Sequence, residues 1–273
     1  MNSRSLIKAY DDNDFLRVDE CRGVRLQLEY LKPETIFRKR KIESTIVIFG
    51  SARTPSPEKA AKALADAKAA IEAKPEDSAA KMALAKAESM VRDSHYYQVA
   101  REFGALVTRE CQSRSLDASK QFVVLTGGGP GIMEAGNRGA SDMGGANAAL
   151  NITLPHEQHP NEYITPELNF LLHYFCIRKM HFLKRAKGLA CFPGGFGTMD
   201  ELFEALTLIQ THKIPRIPVM LYGREFWESL IKWDEFVKRG LISPDDLNLF
   251  TYCETAEDGW KAICDFYSKK TGK

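Results

Sequence analysis

Polar and apolar positions along the chain alternate between two kinds of segment. Apolar runs of five to seven residues recur at Thr45–Phe49, Phe122–Thr126, Ala148–Leu154, Gly188–Phe192 and Ile217–Tyr222, each ended by glycine, proline or a polar turn. Runs that are apolar at nearly every position, not every second one, predict strands buried on both faces, as in a parallel sheet. Longer stretches with apolar residues three and four apart, at Tyr96–Val107, Glu201–Gln210, Phe226–Trp233 and Asp258–Tyr267, predict amphipathic helices. Phe170–Phe175 reads equally as a further strand or as the apolar entry of the helix that carries Arg178, Lys179, His181, Lys184 and Arg185, and Leu249–Tyr252 is a short apolar piece before the last helix. Strands alternating with helices through right-handed crossovers give an α/β fold, a Rossmann-like doubly wound parallel sheet, in which ligands bind at the carboxyl ends of the strands.

Two segments depart from that alternation. Residues 1–44 mix charge with Val24, Leu26, Leu28, Tyr30 and Leu31 and are expected to form an N-terminal helical arm ahead of one domain spanning 45–273. Residues 57–115 are rich in Ala, Lys and Glu and break near Lys74–Asp77, which predicts a helical hairpin. A crossover between parallel strands needs only about a dozen residues, so about 57–95 is expected to be an insertion.

Charge adds little: 38 Lys and Arg against 36 Asp and Glu leave a net charge of +2, without the basic excess that nucleic acid or an anionic membrane attracts. Any anion must therefore be held locally. Six cysteines without a CxxC pair read as reduced thiols, the first residues lack the apolar core of a secretory signal, and no run reaches the ~18 apolar residues of a spanning helix. The expectation is a soluble, cytoplasmic protein.

The chemistry concentrates in glycine turns that follow strands. After Gly188–Phe192 comes Pro193-Gly194-Gly195-Phe196-Gly197-Thr198-Met199-Asp200-Glu201, a glycine loop opening a helix near Thr198. Backbone amides there can approach an anion, helped by the unpaired N–H groups and dipole of the helix start, with a carboxylate alongside. A second turn, Gly127-Gly128-Gly129-Pro130-Gly131-Ile132-Met133-Glu134, repeats the design after Phe122–Thr126. It is no Walker loop, since no Gly-Lys-Ser/Thr follows, and in the dinucleotide spacing the third glycine is replaced by Ile132. These turns suit a monophosphate better than a triphosphate or pyrophosphate. Ser51 and Arg53, in the turn after Thr45–Phe49, are candidate contacts to a phosphate or base or simply an ordinary turn. Thr198-x-x-Glu201 also has the spacing of a capping box, in which the Glu folds back to the helix start. His156, Glu157 and His159 could be ligands to a metal, but a polar loop at a strand end explains them as well; no metal is expected.

The stretch Pro193–Glu201 matches the PGGxGTxxE signature of the LONELY GUY family, often labelled "lysine decarboxylase". Gly127–Ala135 resembles its second glycine motif, Arg178-Lys179-Met180 its basic motif, and Gly50-Ser51-Ala52-Arg53 its first-strand turn. The resemblance implies hydrolysis of the N-glycosidic bond of a nucleoside 5′-monophosphate, AMP or a cytokinin riboside monophosphate. It implies Glu201 and Arg178 as the catalytic pair, and Gly194, Gly195, Phe196, Gly197 and Thr198 as the phosphate loop. Glu134 is implied on the ribose hydroxyls, with Gly50, Ser51, Arg53, Gly128, Gly129, Gly131, Met133 and Lys179 as further substrate contacts. No cofactor is implied, and the partner expected is a second copy of the chain in a homodimer or larger homo-oligomer. A non-catalytic carrier of nucleotide or molybdenum cofactor on the same fold is the alternative. An NAD oxidoreductase is disfavoured by the incomplete fingerprint and by the position of Glu157 beyond the strand end.

Overall fold

The computed structural model describes residues 4–112, 121–153 and 159–271. Seven strands, β1 (Thr45–Phe49), β2 (Val123–Thr126), β3 (Asn147–Ile152), β4 (Asn169–Leu172), β5 (Ala186–Cys191), β6 (Val219–Tyr222) and β7 (Phe250–Cys253), form one sheet in the order β4-β3-β2-β1-β5-β6-β7. All neighbouring pairs are parallel. The expected doubly wound sheet is therefore present, with β1 at its centre. The apolar piece before the last helix becomes the edge strand β7, and Phe170 belongs to a strand, β4, while Phe175 begins a helix.

Central β1 shows why a continuous apolar run is required. Successive side chains point to opposite faces, so Ile46 and Ile48 enter one core and Val47 and Phe49 the other. The first core is closed by α3 (Ser78–Cys111), α4 (Ile132–Asp142) and α9 (Ala256–Thr271) through Tyr97, Phe103, Ile132 and Ile263. The second is closed by α1 (Arg22–Lys39), α5 (Phe175–Lys184), α6 (Phe196–Gln210) and α7 (Arg224–Leu230) through Phe37, Phe182, Leu202 and Trp227. The segment expected as one helix ending at Trp233 is divided, with α8 (Trp233–Lys238) starting after a break.

The hairpin pairs α2 (Pro57–Ala73) with the outer part of α3. Ser56 caps α2 by accepting from the Lys59 N–H, and Asp77 caps α3 by accepting from the Ala79 N–H. Ala60 and Ala67 on one helix and Ala80 and Ala87 on the other are buried, giving the pair a seam of small residues. The helix does not stop at residue 95. It continues unbroken into the part that packs on the sheet.

The arm is helical, as expected, and it grips α5 at both ends. The Glu29 carboxylate accepts from the backbone N–H groups of His173 (2.8 Å) and Tyr174 (3.0 Å), just before α5 begins. At the other end Glu34, almost fully buried, pairs with Lys184 (2.9 Å) and with Arg185. Burial pushes the Glu34 carboxyl up, but the hydrogen bonds and charges of Arg185 and Lys184 together outweigh it and bring it down from 4.5 to about 2.

A carboxyl with a depressed native pKa stabilises the fold fully above its unfolded pKa and loses that contribution as pH falls through the native one. Stability should therefore drop by about 3 kcal/mol between pH 4.5 and 2 on account of Glu34. Denaturant unfolding across that range should show Glu34→Gln less stable at neutral pH and flatter toward acid. Parallel curves for the two proteins would contradict this.

Candidate functional site

Where β1 lies between β2 and β5 the winding of the sheet reverses, and a crevice opens outside the carboxyl ends at such a point. Three glycine turns meet there. Phe192 N–H donates to Phe49 O at 2.8 Å, Ser51 N–H to Pro193 O at 3.0 Å and Ile132 N–H to Ser51 O at 3.1 Å, so the turn after β1 is tied to those after β5 and β2. A Cβ on Gly194 would run into Thr198 Oγ1, which explains why glycine is needed there. Gly195 and Gly197 are different: a Cβ on either would meet nothing within 4 Å, so protein packing does not account for them.

The crevice has a volume of about 730 Å³. It brings together Gly50, Ser51, Arg53, Met133, Arg178, Gly194, Gly195, Phe196, Gly197, Thr198 and Glu201. Other expected contacts do not line it. Gly128 and Gly129 are held from behind, their carbonyls accepting from Asn161. Gly131, at φ +71°, packs against the backbone of Ser51 and Ala52. Glu134 accepts from Tyr97 Oη at 2.7 Å and pairs with Lys59 at 3.7 Å, and Lys179 is engaged by Asp200 (3.0 Å) and Glu204 (3.2 Å) on α6. Sequence reasoning missed Gly127, Asn151 and Phe175 as lining residues. For Asn151 the available signal was a polar residue in an apolar strand.

Arg178 and Glu201 pair with each other in the crevice. Arg178 is 8% exposed, its Nε donates to Leu150 O at 2.7 Å, and its Nη1 lies 3.4 Å from Glu201 Oε1. The guanidinium carbon stands 5.0 Å from the centre of the Phe182 ring, which floors it. A Cβ on Gly127 would come within 2.6 Å of Arg178 Nη2 and 2.7 Å of Met133 Sδ, so this glycine makes room for both. Burial disfavours the charge on Arg178, and Glu201 restores part of it. Burial likewise raises the Glu201 carboxyl, against the pull of Arg178, to about 7. Glu201 is thus poised to exchange a proton at neutral pH.

Helix α6 begins at Phe196 with Gly195 as its cap residue, and no side chain caps it. Thr198 is therefore already helical and Glu201 lies beyond the first turn. The capping-box reading of Glu201 is removed, because the orphan N–H groups it would serve lie a turn away. The same shift places the amides of Gly195, Phe196 and Gly197 at the open helix end, facing the crevice. His156 and Glu157 lie outside the described residues, and among the described residues no three His, Cys, Asp or Glu side chains converge as metal ligands. No helix among the described residues is long and apolar enough to cross a membrane.

The family model described as "Possible lysine decarboxylase" matches residues 133–263. A rice protein (Oryza sativa subsp. japonica), named a probable cytokinin riboside 5′-monophosphate phosphoribohydrolase, is 28% identical over 143 residues, 50% of this chain and 55% of its own length. An Arabidopsis thaliana cytokinin riboside 5′-monophosphate phosphoribohydrolase is 32% identical over 91 residues, 33% of this chain and 42% of its own. Over residues 133–263 the chain is similar to the LONELY GUY family. It spans about half the length of these curated relatives. The family match begins at Met133, so the arm, β1, the hairpin and β2 lie before it. Among solved structures, a molybdenum cofactor carrier protein from Chlamydomonas reinhardtii is similar at 16% identity, covering 83% of this chain and 97% of its own, with a TM-score of 0.46.

The raised acid makes a testable statement about stability. The fold prefers Glu201 protonated, so its contribution is complete below pH 4.5 and is lost as pH rises through about 7. Glu201→Gln mimics the protonated side chain. Its melting temperature should match the wild type at pH 5 and exceed it at pH 8, by up to about 3 kcal/mol of stability. A loss of stability at both pH values, as from a removed cap, would refute the assignment.

Proposed function

We propose that the crevice hydrolyses the N-glycosidic bond of a nucleoside 5′-monophosphate, AMP or a cytokinin riboside monophosphate, to free base and ribose 5-phosphate. The observation that carries this reading is the placement of a buried, near-neutral carboxyl and a buried guanidinium beside an uncapped helix end rimmed by glycines. The 5′-phosphate would rest on the amides of Gly194 to Thr198, where the helix dipole favours an anion. The ribose then lies over Arg178 and Glu201. As the bond from C1′ to the base nitrogen breaks, its electron pair leaves with the base and positive charge builds on the ring. The Glu201 carboxylate stabilises that charge and takes a proton from the water that adds to C1′, and this proton is available to the departing base. Arg178 keeps Glu201 ionised enough to act and offers its remaining N–H groups to the substrate. Lys179, Gly128, Gly129, Gly131 and Glu134 support these elements from outside the crevice.

Six free cysteines suit a reducing compartment, and we read the enzyme as cytoplasmic. A carrier built on the same crevice would bind AMP without releasing adenine, so the assay that measures the base separates the two readings.

Chromatography of released base should show AMP cleaved at least about tenfold faster than adenosine, because the nucleoside forfeits the charged contact at the helix end. For AMP, kcat/KM should rise with pH and level off above about 7, where Glu201 is ionised. Arg178→Gln should move that inflection upward. Glu201→Gln should lower kcat by at least ~10²-fold. Equal rates for adenosine and AMP would remove the phosphate loop from the mechanism, and a near-normal Glu201→Gln rate would remove Glu201.

We also propose at least a dimer. Phe196 is 96% exposed at the lip of the crevice, and Phe175, Met180 and Leu230 are exposed as well. A shallow groove along α6, lined by Phe196, Met199 and Phe203, continues that surface. Apolar surface of this kind marks association. Sedimentation should find a dimer or larger species that Phe196→Asp weakens, whereas a fully active monomer would overturn the proposal.

A further inference from the structure

Asn151 is out of character for its place. It sits near the carboxyl end of β3, after the fully buried Ala148, Ala149 and Leu150, and asparagine is depleted in strands. It is 8% exposed and lines the crevice. Both hydrogens of its amide are used: Nδ2 donates to Asn169 Oδ1 at 2.6 Å and to Phe170 O at 3.0 Å. A backbone carbonyl can only accept, so the amide orientation is fixed by chemistry and Oδ1 is turned away from β4. That oxygen lies against Gly128, where a Cβ would overlap it, and it accepts from no group among the described residues. Oδ1 is not sealed in the interior but opens on the crevice, where a valine or isoleucine would have offered no acceptor. An acceptor kept open beside a crevice calls for a donor on the ligand.

Position narrows which donor. Three strand spacings separate β3 from β5, about 14 Å at roughly 4.8 Å each, and Arg178 spans much of that interval from Leu150 O to Glu201. With the phosphate at the turn after β5 and C1′ at Glu201, the part of a nucleotide that reaches on toward β3 is the base. Ile152 and Met133 supply apolar walls at that end.

We infer that Asn151 reads the base: its side-chain carbonyl accepts a hydrogen bond from an exocyclic amine, so that the crevice favours amino bases over oxo bases. This rests on the nucleotide reading of the crevice given above. An amine carrying one substituent keeps an N–H and still satisfies the acceptor, whereas the oxygen of an oxo base meets another acceptor and is repelled.

The test compares AMP, IMP and dAMP, by kcat/KM and by equilibrium binding, on the unaltered protein and on Asn151→Leu. The unaltered protein should favour AMP over IMP by at least about tenfold, on the order of one hydrogen bond to a fixed partner. Asn151→Leu should lose that preference while keeping the AMP to dAMP ratio. An asparagine that merely ties β3 to β4 would change all three substrates by a common factor. Equal handling of AMP and IMP by the unaltered protein overturns the inference, and that measurement needs no variant. A collapse of the AMP to dAMP ratio with the AMP to IMP ratio kept would put a ribose hydroxyl on Asn151 and overturn it too. If AMP binds more tightly than IMP in the unaltered protein but no base is released, the hydrolytic reading fails while this one stands.

Discussion

A guanidinium can be held in a protein interior only where something accepts its hydrogen bonds and answers its charge. Arg178 is that case here, and much of the architecture near the crevice meets its requirements. The carbonyl of Leu150 on β3 takes its Nε, Glu201 on α6 faces its Nη1, Phe182 lies beneath it, and Gly127 leaves the room it occupies. These groups come from four parts of the chain. The reversal of winding beside β1 brings them to one edge of the sheet, and the grip of α1 on α5, together with the packing of Phe182 against Phe49, holds the helix from which Arg178 extends.

The same pair sets the electrostatics. Burial alone would drive Glu201 further toward the neutral acid and Arg178 further from its cation; each partly restores the other. The result is a carboxyl whose ionisation falls near neutrality instead of in the acid range. A partly buried ion pair contributes little net stability, and its value to the molecule lies in that tuning.

What the sequence revealed follows from how local each signal is. β1, β5 and β6 were legible because strands covered on both faces are apolar throughout. The edge strands were harder: β4 alternates buried and exposed residues, with Leu171 in the open, so its pattern was confusable with a helix entry. The glycine turn after β5 could be recognised because a main-chain anion site needs no distant partner. The start of α6 was misplaced because Thr198-x-x-Glu201 imitates a capping box, while the true cap residue, Gly195, has no side chain to announce itself. Glu134 and Lys179 were expected at the ligand, and the partners that engage them, Tyr97 and the acids of α6, are remote in sequence or on another element.

Helix α3 has a mechanical consequence. Its 34 residues span about 51 Å at 1.5 Å per residue. The outer part carries the hairpin, while the inner part lies so close to α4 that a Cβ on Gly104 or Gly139 would strike the facing backbone. A continuous helix without proline or a bulge curves only gently, so the two parts form one beam. A load on the hairpin tip near Lys74–Asp77 is therefore delivered, undamped by any hinge, to the helix that opens at Ile132 and the glycine turn before it. The hairpin lines none of the crevice, yet it is the lever arm of one wall.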